Sequence, residues 1–213
     1  MKKYVILISG RGSNMRTLLD TPELAGHCAA VISNRPDAVG LEYACAKGVP
    51  ALVVDHKLYP SREAFDQALM SQIDLYKPDL VVLAGFMRIL TPAFVQHYAG
   101  RLINIHPSLL PAFPGLDTHG AALRAGVRLH GATVHFVTPE LDVGPAVIQA
   151  AVPVLPGDTA QRLADRVLQQ EHQIYPRAVR WFLEGKVHLA GHEVQLDLPA
   201  TELDGGALRF PGP

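Results

Sequence analysis

Two side chains able to do chemistry stand two residues apart in Asn104-Ile105-His106, at the end of an apolar run. Asp142 follows later, in Glu140-Leu141-Asp142-Val143-Gly144. Residues i and i+2 of a strand point to one face, so the amide and the imidazole are expected side by side. An amide donor and an imidazole within reach of a carboxylate suit acyl transfer. The amide and a protonated ring hold a developing oxyanion, while the carboxylate keeps the ring charged or accepts a proton. Pro107 and Pro111, with Leu109-Leu110 between them, fix the path of the loop leaving the strand. Each residue also has a plainer reading. A lone histidine is often a satisfied, half-buried side chain, and an aspartate before Gly144 is often a turn residue. The strand-end position favours chemistry, because open α/β sheets bind ligands there.

A second candidate is Gly10-Arg11-Gly12-Ser13-Asn14, between the first apolar run and the first helical pattern. Glycines there let backbone N–H groups approach an anion, and the helix N-terminus adds partial positive charge. A dinucleotide fingerprint would need a third glycine where Met15 stands and an acidic residue ending the second strand. The chain reads Ser33-Asn34-Arg35 at that end, so a single phosphate is the expected ligand rather than NAD. The alternative is a tight turn with no ligand. His119, His130 and His135 raise a metal site, but no pair has i, i+4 spacing and cysteine is distant. No metal is expected, and His135 is read as support on an inner strand.

Short β-branched runs alternate with helical patterns, which predicts an α/β fold with a Rossmann-like, mostly parallel sheet and helices on both faces. Strands are expected at Tyr4–Ser9, Ala29–Ser33, Ala51–Val54, Leu80–Ala84, Leu102–Ile105 and Thr133–Val137. Helices are expected near Ser13–Asp20, Ala38–Lys47, Ser61–Leu75, Pro92–Tyr98 and Gly120–Ala125. Val147–Val154 should pair antiparallel, beginning an antiparallel C-terminal extension. Asp158 then caps a long helix to about Glu184, kinked at Pro176 and stopped by Gly185. Val187–Leu198 reads as an edge hairpin, and Gly205-Gly206 with Pro211-Gly212-Pro213 as a loose tail.

At 213 residues and 48% hydrophobic, the chain can bury a good core as one domain. Its expected parts are a mononucleotide-binding half (1–100), a catalytic half (101–185) and a tail (186–213). A net charge of −1 gives no sign of a nucleic-acid partner. The N-terminal apolar run is cut by Ser9-Gly10-Arg11, too early for a signal core or membrane span. Two cysteines point away from a disulfide scaffold, and a cytoplasmic location is expected.

Several long motifs then run in a recognisable order. They are Gly10–Asn14, Ala84-Gly85-Phe86-Met87-Arg88-Ile89-Leu90, Asn104–Pro111, Pro114-Gly115-Leu116-Asp117-Thr118-His119, His135-Phe136-Val137 and Gln170-Glu171-His172. From the first strand to about Glu184 the chain resembles the phosphoribosylglycinamide formyltransferases, folate-dependent enzymes of purine synthesis. The resemblance implies that Gly12, Ser13, Asn14 and Glu171 bind the ribonucleotide, the first three around its phosphate. It implies that Arg62, Met87, Arg88, Ile89, Leu90, Asn104 and Thr138, Pro139, Glu140, Leu141, Asp142 line the site for the co-substrate 10-formyltetrahydrofolate. Asn104, His106 and Asp142 would be the catalytic set, and the Leu110–Pro111 bond would be cis. The implied partners are small molecules, with no nucleic acid and no membrane; monomer and homodimer stay open. The family often shows two glycines after the Asp, where Val143 precedes Gly144 here. Asp117 stands where a histidine is common and would add negative charge near the site.

Two relatives of that fold family are expected to differ from this chain. Methionyl-tRNA formyltransferases usually carry a basic surface and an added nucleic-acid-binding domain. Formyltetrahydrofolate deformylases usually carry a regulatory domain ahead of the sheet, which here starts at Tyr4. A nucleotide-binding module without catalysis is the remaining alternative.

Overall fold

The structure, a computed structural model, describes residues 1–199. The tail expected around Gly205-Gly206 and Pro211-Gly212-Pro213 lies outside the described residues. Seven strands form one sheet: β1 (Tyr4–Ile8), β2 (Cys28–Ser33), β3 (Ala51–Val53), β4 (Leu80–Leu83), β5 (Leu102–His106), β6 (Leu129–Phe136) and β7 (Ala146–Pro153). Their order is β3-β2-β1-β4-β5-β6-β7. Strands β1 to β5 pair in parallel, whereas β6 and β7 pair antiparallel. The apolar runs lack polar alternation because parallel strands are covered on both faces. All five side chains of β1 are buried.

The helices are α1 (Ser13–Asp20), α2 (Pro22–Ala25), α3 (Gly40–Ala46), α4 (Arg62–Asp74), α5 (Pro92–His97), α6 (Thr118–Ala125) and α7 (Ala160–Leu183). The expected mostly parallel α/β sheet is therefore present, with differences at the edges of elements. Strand β6 begins at Leu129 rather than Thr133. Leu129-His130-Gly131-Ala132 is poor in β-branched residues, yet it pairs with Ala150–Pro153. Helix α7 is capped by the Thr159 hydroxyl, which accepts from the Arg162 N–H, and not by Asp158. The Asp158 carboxylate instead accepts from the Leu155 N–H and from both terminal nitrogens of Arg166. Helix α7 runs unbroken through Pro176. The short α2, opened by Pro22, follows α1 so closely that periodicity does not separate them. Val187–Leu198 forms strands β8 (Val187–Ala190) and β9 (Glu193–Leu196), a two-stranded sheet of their own rather than an edge of the large one. The Leu110–Pro111 peptide is cis.

The chain divides into two compact units. One comprises Met1–Asn104 with Phe136–Glu140, and the other Ile105–His135 with the described residues from Leu141 onward. The first unit buries Val5, Leu7, Ile32, Phe65, Leu69, Val81, Leu83, Phe94 and Leu102 among others in a single apolar cluster. The second is organised by α7. Its buried Leu163, Val167, Glu171, Ile174, Ala178 and Trp181 recur at helical spacing and face α6, β7 and β8. Among the described residues, no helix is long and apolar enough to cross a membrane.

Candidate active site

In the first unit the strand order reverses between β1 and β4, the switch point at which doubly wound sheets bind ligands. Two loops leave the carboxyl ends of these strands. Behind β1, Gly12 caps α1 in the left-handed conformation at φ 68°, with Ser13 and Asn14 opening the helix. A Cβ on Gly12 would fall 2.8 Å from Met15 Cε. This is a glycine the turn requires, and it leaves backbone N–H groups at a helix start, suited to an anion.

Behind β4, the segment Gly85–Leu90 forms a ledge. Met87 and Ile89 are exposed, Arg88 is partly buried and Leu90 is buried. Arg88 lies over the Phe65 ring, its guanidinium carbon 5.2 Å from the centroid, and its Nε is buried without a partner. Arg62, one turn before Phe65, is exposed at the start of α4. The ledge ends at Thr91, whose N–H donates to buried Asp66 at 2.6 Å and whose hydroxyl caps α5. Asn104 lies on β5, partly buried. In the loop that follows β6 the Thr138 hydroxyl donates to the Glu140 carbonyl, and Pro139 and Glu140 are exposed.

In the second unit His106 is buried at the end of β5, and its two ring nitrogens have different neighbours. Nε2 lies 3.1 Å from the Phe113 carbonyl oxygen. A carbonyl only accepts, so Nε2 carries a proton and Nδ1 is the nitrogen left to vary. Nδ1 lies 3.6 Å from Asp142 Oδ1, within ion-pair range and beyond a direct hydrogen bond. The other carboxylate oxygen, Oδ2, accepts from the Gly115 N–H at 3.0 Å. Phe113 and Asp142 both adopt positive φ, 55° and 56°, a conformation unfavourable for side-chain-bearing residues. The backbone strain falls on the two residues that hold the imidazole. The loop between is laced by side chains. Thr133 Oγ1 donates to the Ser108 carbonyl and accepts from the Leu110 N–H, while Gln149 donates to the Leu110 carbonyl.

Three of the further histidines in this unit, His119, His130 and His135, are the ones weighed above as a metal set. His135 is buried on β6. His130 is 1% exposed, and its Nε2 lies 3.2 Å from His119 Nδ1. Burial, reinforced by the neighbouring His119, pushes the His130 ring down to about 4, and burial lowers His119 as well. Among the described residues no three His, Cys, Asp or Glu side chains gather as a metal site. Asp117 is exposed and pairs with Arg124 at 2.7 Å, which holds its carboxyl below the usual range and offsets its charge. Val143 and Leu141 are exposed beside Asp142. Glu171 is buried on α7.

The His130 ring gives a pH dependence whose sign is fixed. In the unfolded chain it takes up a proton near 6.5, whereas in the folded chain it stays neutral to about 4. Between those values the unfolded state binds more protons, so stability falls on acidification from pH 6.5 toward 4. His130→Gln should flatten this slope, by up to one proton's worth. Urea unfolding at pH 7 and at about pH 5 checks it, and parallel losses in both proteins would contradict it.

The sequence marked Asn104, His106, Asp142 and the two switch-point loops. It gave no signal for the Phe113 carbonyl or the Gly115 N–H, because backbone groups carry no residue code. Ser108, Thr133 and Gln149 likewise read as ordinary strand and loop residues.

The sheet is mostly parallel and doubly wound, and its strand-end imidazole lies beside a carboxylate, parts suited to acyl transfer. The chain matches the formyl transferase family profile over residues 2–179, and it belongs to that family. It is 52% identical to the phosphoribosylglycinamide formyltransferase of Escherichia coli, covering 91% of this chain and 92% of that one. It is 42% identical to the protein of the same name from Haemophilus influenzae, covering 97% and 99%. Among solved structures, glycinamide ribonucleotide transformylase 1 from Symbiobacterium toebii superposes with a TM-score of 0.88 at 48% identity, covering 92% of this chain and 94% of that one.

Proposed function

We propose that this enzyme transfers the formyl group of 10-formyltetrahydrofolate to the amine of 5-phosphoribosylglycinamide, giving the N-formyl product and tetrahydrofolate in de novo purine synthesis. The observation that carries the reading is His106, its Nε2–H pinned by the Phe113 carbonyl and its Nδ1 turned toward Asp142. The neutral amine attacks the formyl carbon, and the carbonyl oxygen becomes an alkoxide. Nδ1–H of the imidazolium and the Asn104 amide donate to that oxygen, and the carboxylate stabilises the ring's positive charge. Asp142, through water, takes the proton from the attacking nitrogen. The intermediate then collapses, the bond from carbon to the folate nitrogen breaks, and the proton taken from the amine passes from Asp142 through water to that nitrogen, which leaves protonated. Holding both substrates on one protein adds effective molarity.

In this reading Gly12, Ser13 and Asn14 hold the phosphate and Glu171 the rest of the ribonucleotide. Met87–Leu90 and 138–142 bracket the pteridine, with the Arg88 backbone part of that ledge, and Arg62 lines the same site. His135 supports the catalytic side chains. The two units work as one formyltransferase domain, 1–100 binding the nucleotide and 101–185 carrying catalysis. We place the activity in the cytoplasm, where thiols such as Cys28 and Cys45 stay reduced.

Hydrogen exchange with a non-reactive folate analogue tests the donor site. The amides of Met87–Leu90 and of 138–142 should gain protection. Protection confined to Gly10–Asn14 would mean that the two substrate sites are exchanged.

A further inference from the structure

The residue just after β2 is where a dinucleotide-binding sheet presents a carboxylate to a ribose. Here that place is taken by Asn34, only 2% exposed and turned inward. Its Oδ1 accepts the Ser9 hydroxyl at 2.6 Å. Ser9, 6% exposed at the end of β1, binds the ledge behind β4 twice. Its backbone N–H donates to the Gly85 carbonyl at 3.1 Å, and its Oγ accepts from the Met87 N–H at 2.7 Å. A hydroxyl has one proton to give. Because Asn34 takes that proton, the lone pairs of Ser9 Oγ are left aimed at Met87.

Support for the next residue passes through Asn34 as well, by way of its backbone. His56 Nδ1 lies 2.8 Å from the Asn34 carbonyl oxygen, and its ring meets the Phe65 ring edge-on at 6.3 Å. Phe65 in turn carries the Arg88 guanidinium. Met87 and Arg88 thus rest on one buried assembly, and Asp66 fixes the far end of the ledge through Thr91.

We propose that Ser9 and Asn34 are positioning residues for donor binding. They hold the Met87–Arg88 backbone in the conformation that reads the pteridine, which rests on the formyl-folate reading above. Neither need touch either substrate. Their effect is confined to the folate side because the assembly reaches the ledge, while Gly12–Asn14 keep their own backbone bonds.

Ser9→Ala removes the acceptor for the Met87 N–H. One lost hydrogen bond corresponds to roughly a 3- to 10-fold rise in KM for 10-formyltetrahydrofolate, with the ribonucleotide KM changed by less than about twofold. In the substrate-free protein the Met87 amide should exchange faster. Ser9→Thr, which keeps the hydroxyl, should restore both readouts toward wild type. Asn34→Ala should shift the same two quantities in the same direction, and it carries the test if Ser9→Ala does not fold. Unchanged Met87 exchange, or an equal change in both KM values, would overturn the proposal. If the wild-type enzyme does not use 10-formyltetrahydrofolate, the functional reading falls instead, and Met87 exchange alone judges the tether.

Discussion

Asp142→Asn is expected to lower kcat at least roughly a hundredfold while leaving both KM values near wild type. Asparagine keeps the shape and can still accept from the Gly115 N–H, as Oδ2 does at 3.0 Å. It removes the negative charge 3.6 Å from His106 Nδ1. Positive charge on the ring loses its counterion, so the alkoxide loses donor strength. The proton acceptor for the attacking amine disappears in the same step. Acid–base groups contribute about 10²–10⁴-fold and one oxyanion donor about 10²–10³-fold, which sets the lower bound. His106→Ala should fall to a similar level. The double variant should lose less than the product of the two single losses, because the side chains act as one unit. Steady-state kinetics on the three variants decides. Turnover close to wild type for Asp142→Asn, or strictly additive losses, would remove Asp142 from the chemistry.

Gly12→Val should act on the other substrate. Gly12 sits at φ 68°, and a Cβ there falls 2.8 Å from Met15 Cε and 3.5 Å from Gly40 Cα. Left-handed backbone is especially unfavourable for a β-branched residue, so the turn must reopen and its N–H groups swing away. Charge-assisted hydrogen bonds contribute about 1.5–3 kcal/mol each, so losing one predicts about a ten- to hundredfold rise in ribonucleotide KM. The folate KM should move far less, since the Met87–Leu90 ledge leaves a different strand. A melting curve run alongside separates local from global damage. Equal rises in both KM values would make the loop structural only.

The candidate site residues stood out in the sequence because each combines a residue type with a strand or helix end. Asn104 and His106 share a strand face, and Gly10–Asn14 marks a strand-to-helix turn. Element edges were less readable where long-range pairing decides them. Leu129–Ala132 become strand through their partners on β7, and Thr159 rather than Asp158 caps α7 because Arg166 claims the carboxylate. Least readable was what holds the His106 ring. The Phe113 carbonyl, the Gly115 N–H and the positive φ of Asp142 are backbone properties set by tertiary structure. The role of Asn34 was hidden for another reason. Its place in the strand order told against NAD, but only the fold brings it to Ser9.

Release of tetrahydrofolate from 10-formyltetrahydrofolate, followed with and without 5-phosphoribosylglycinamide, tests the central claim most directly. The account predicts release only when the ribonucleotide is present, in equal amount to its N-formyl product. Release that proceeds equally without the ribonucleotide would mean hydrolysis of the donor, and no release with both present would mean another substrate pair; either result contradicts it.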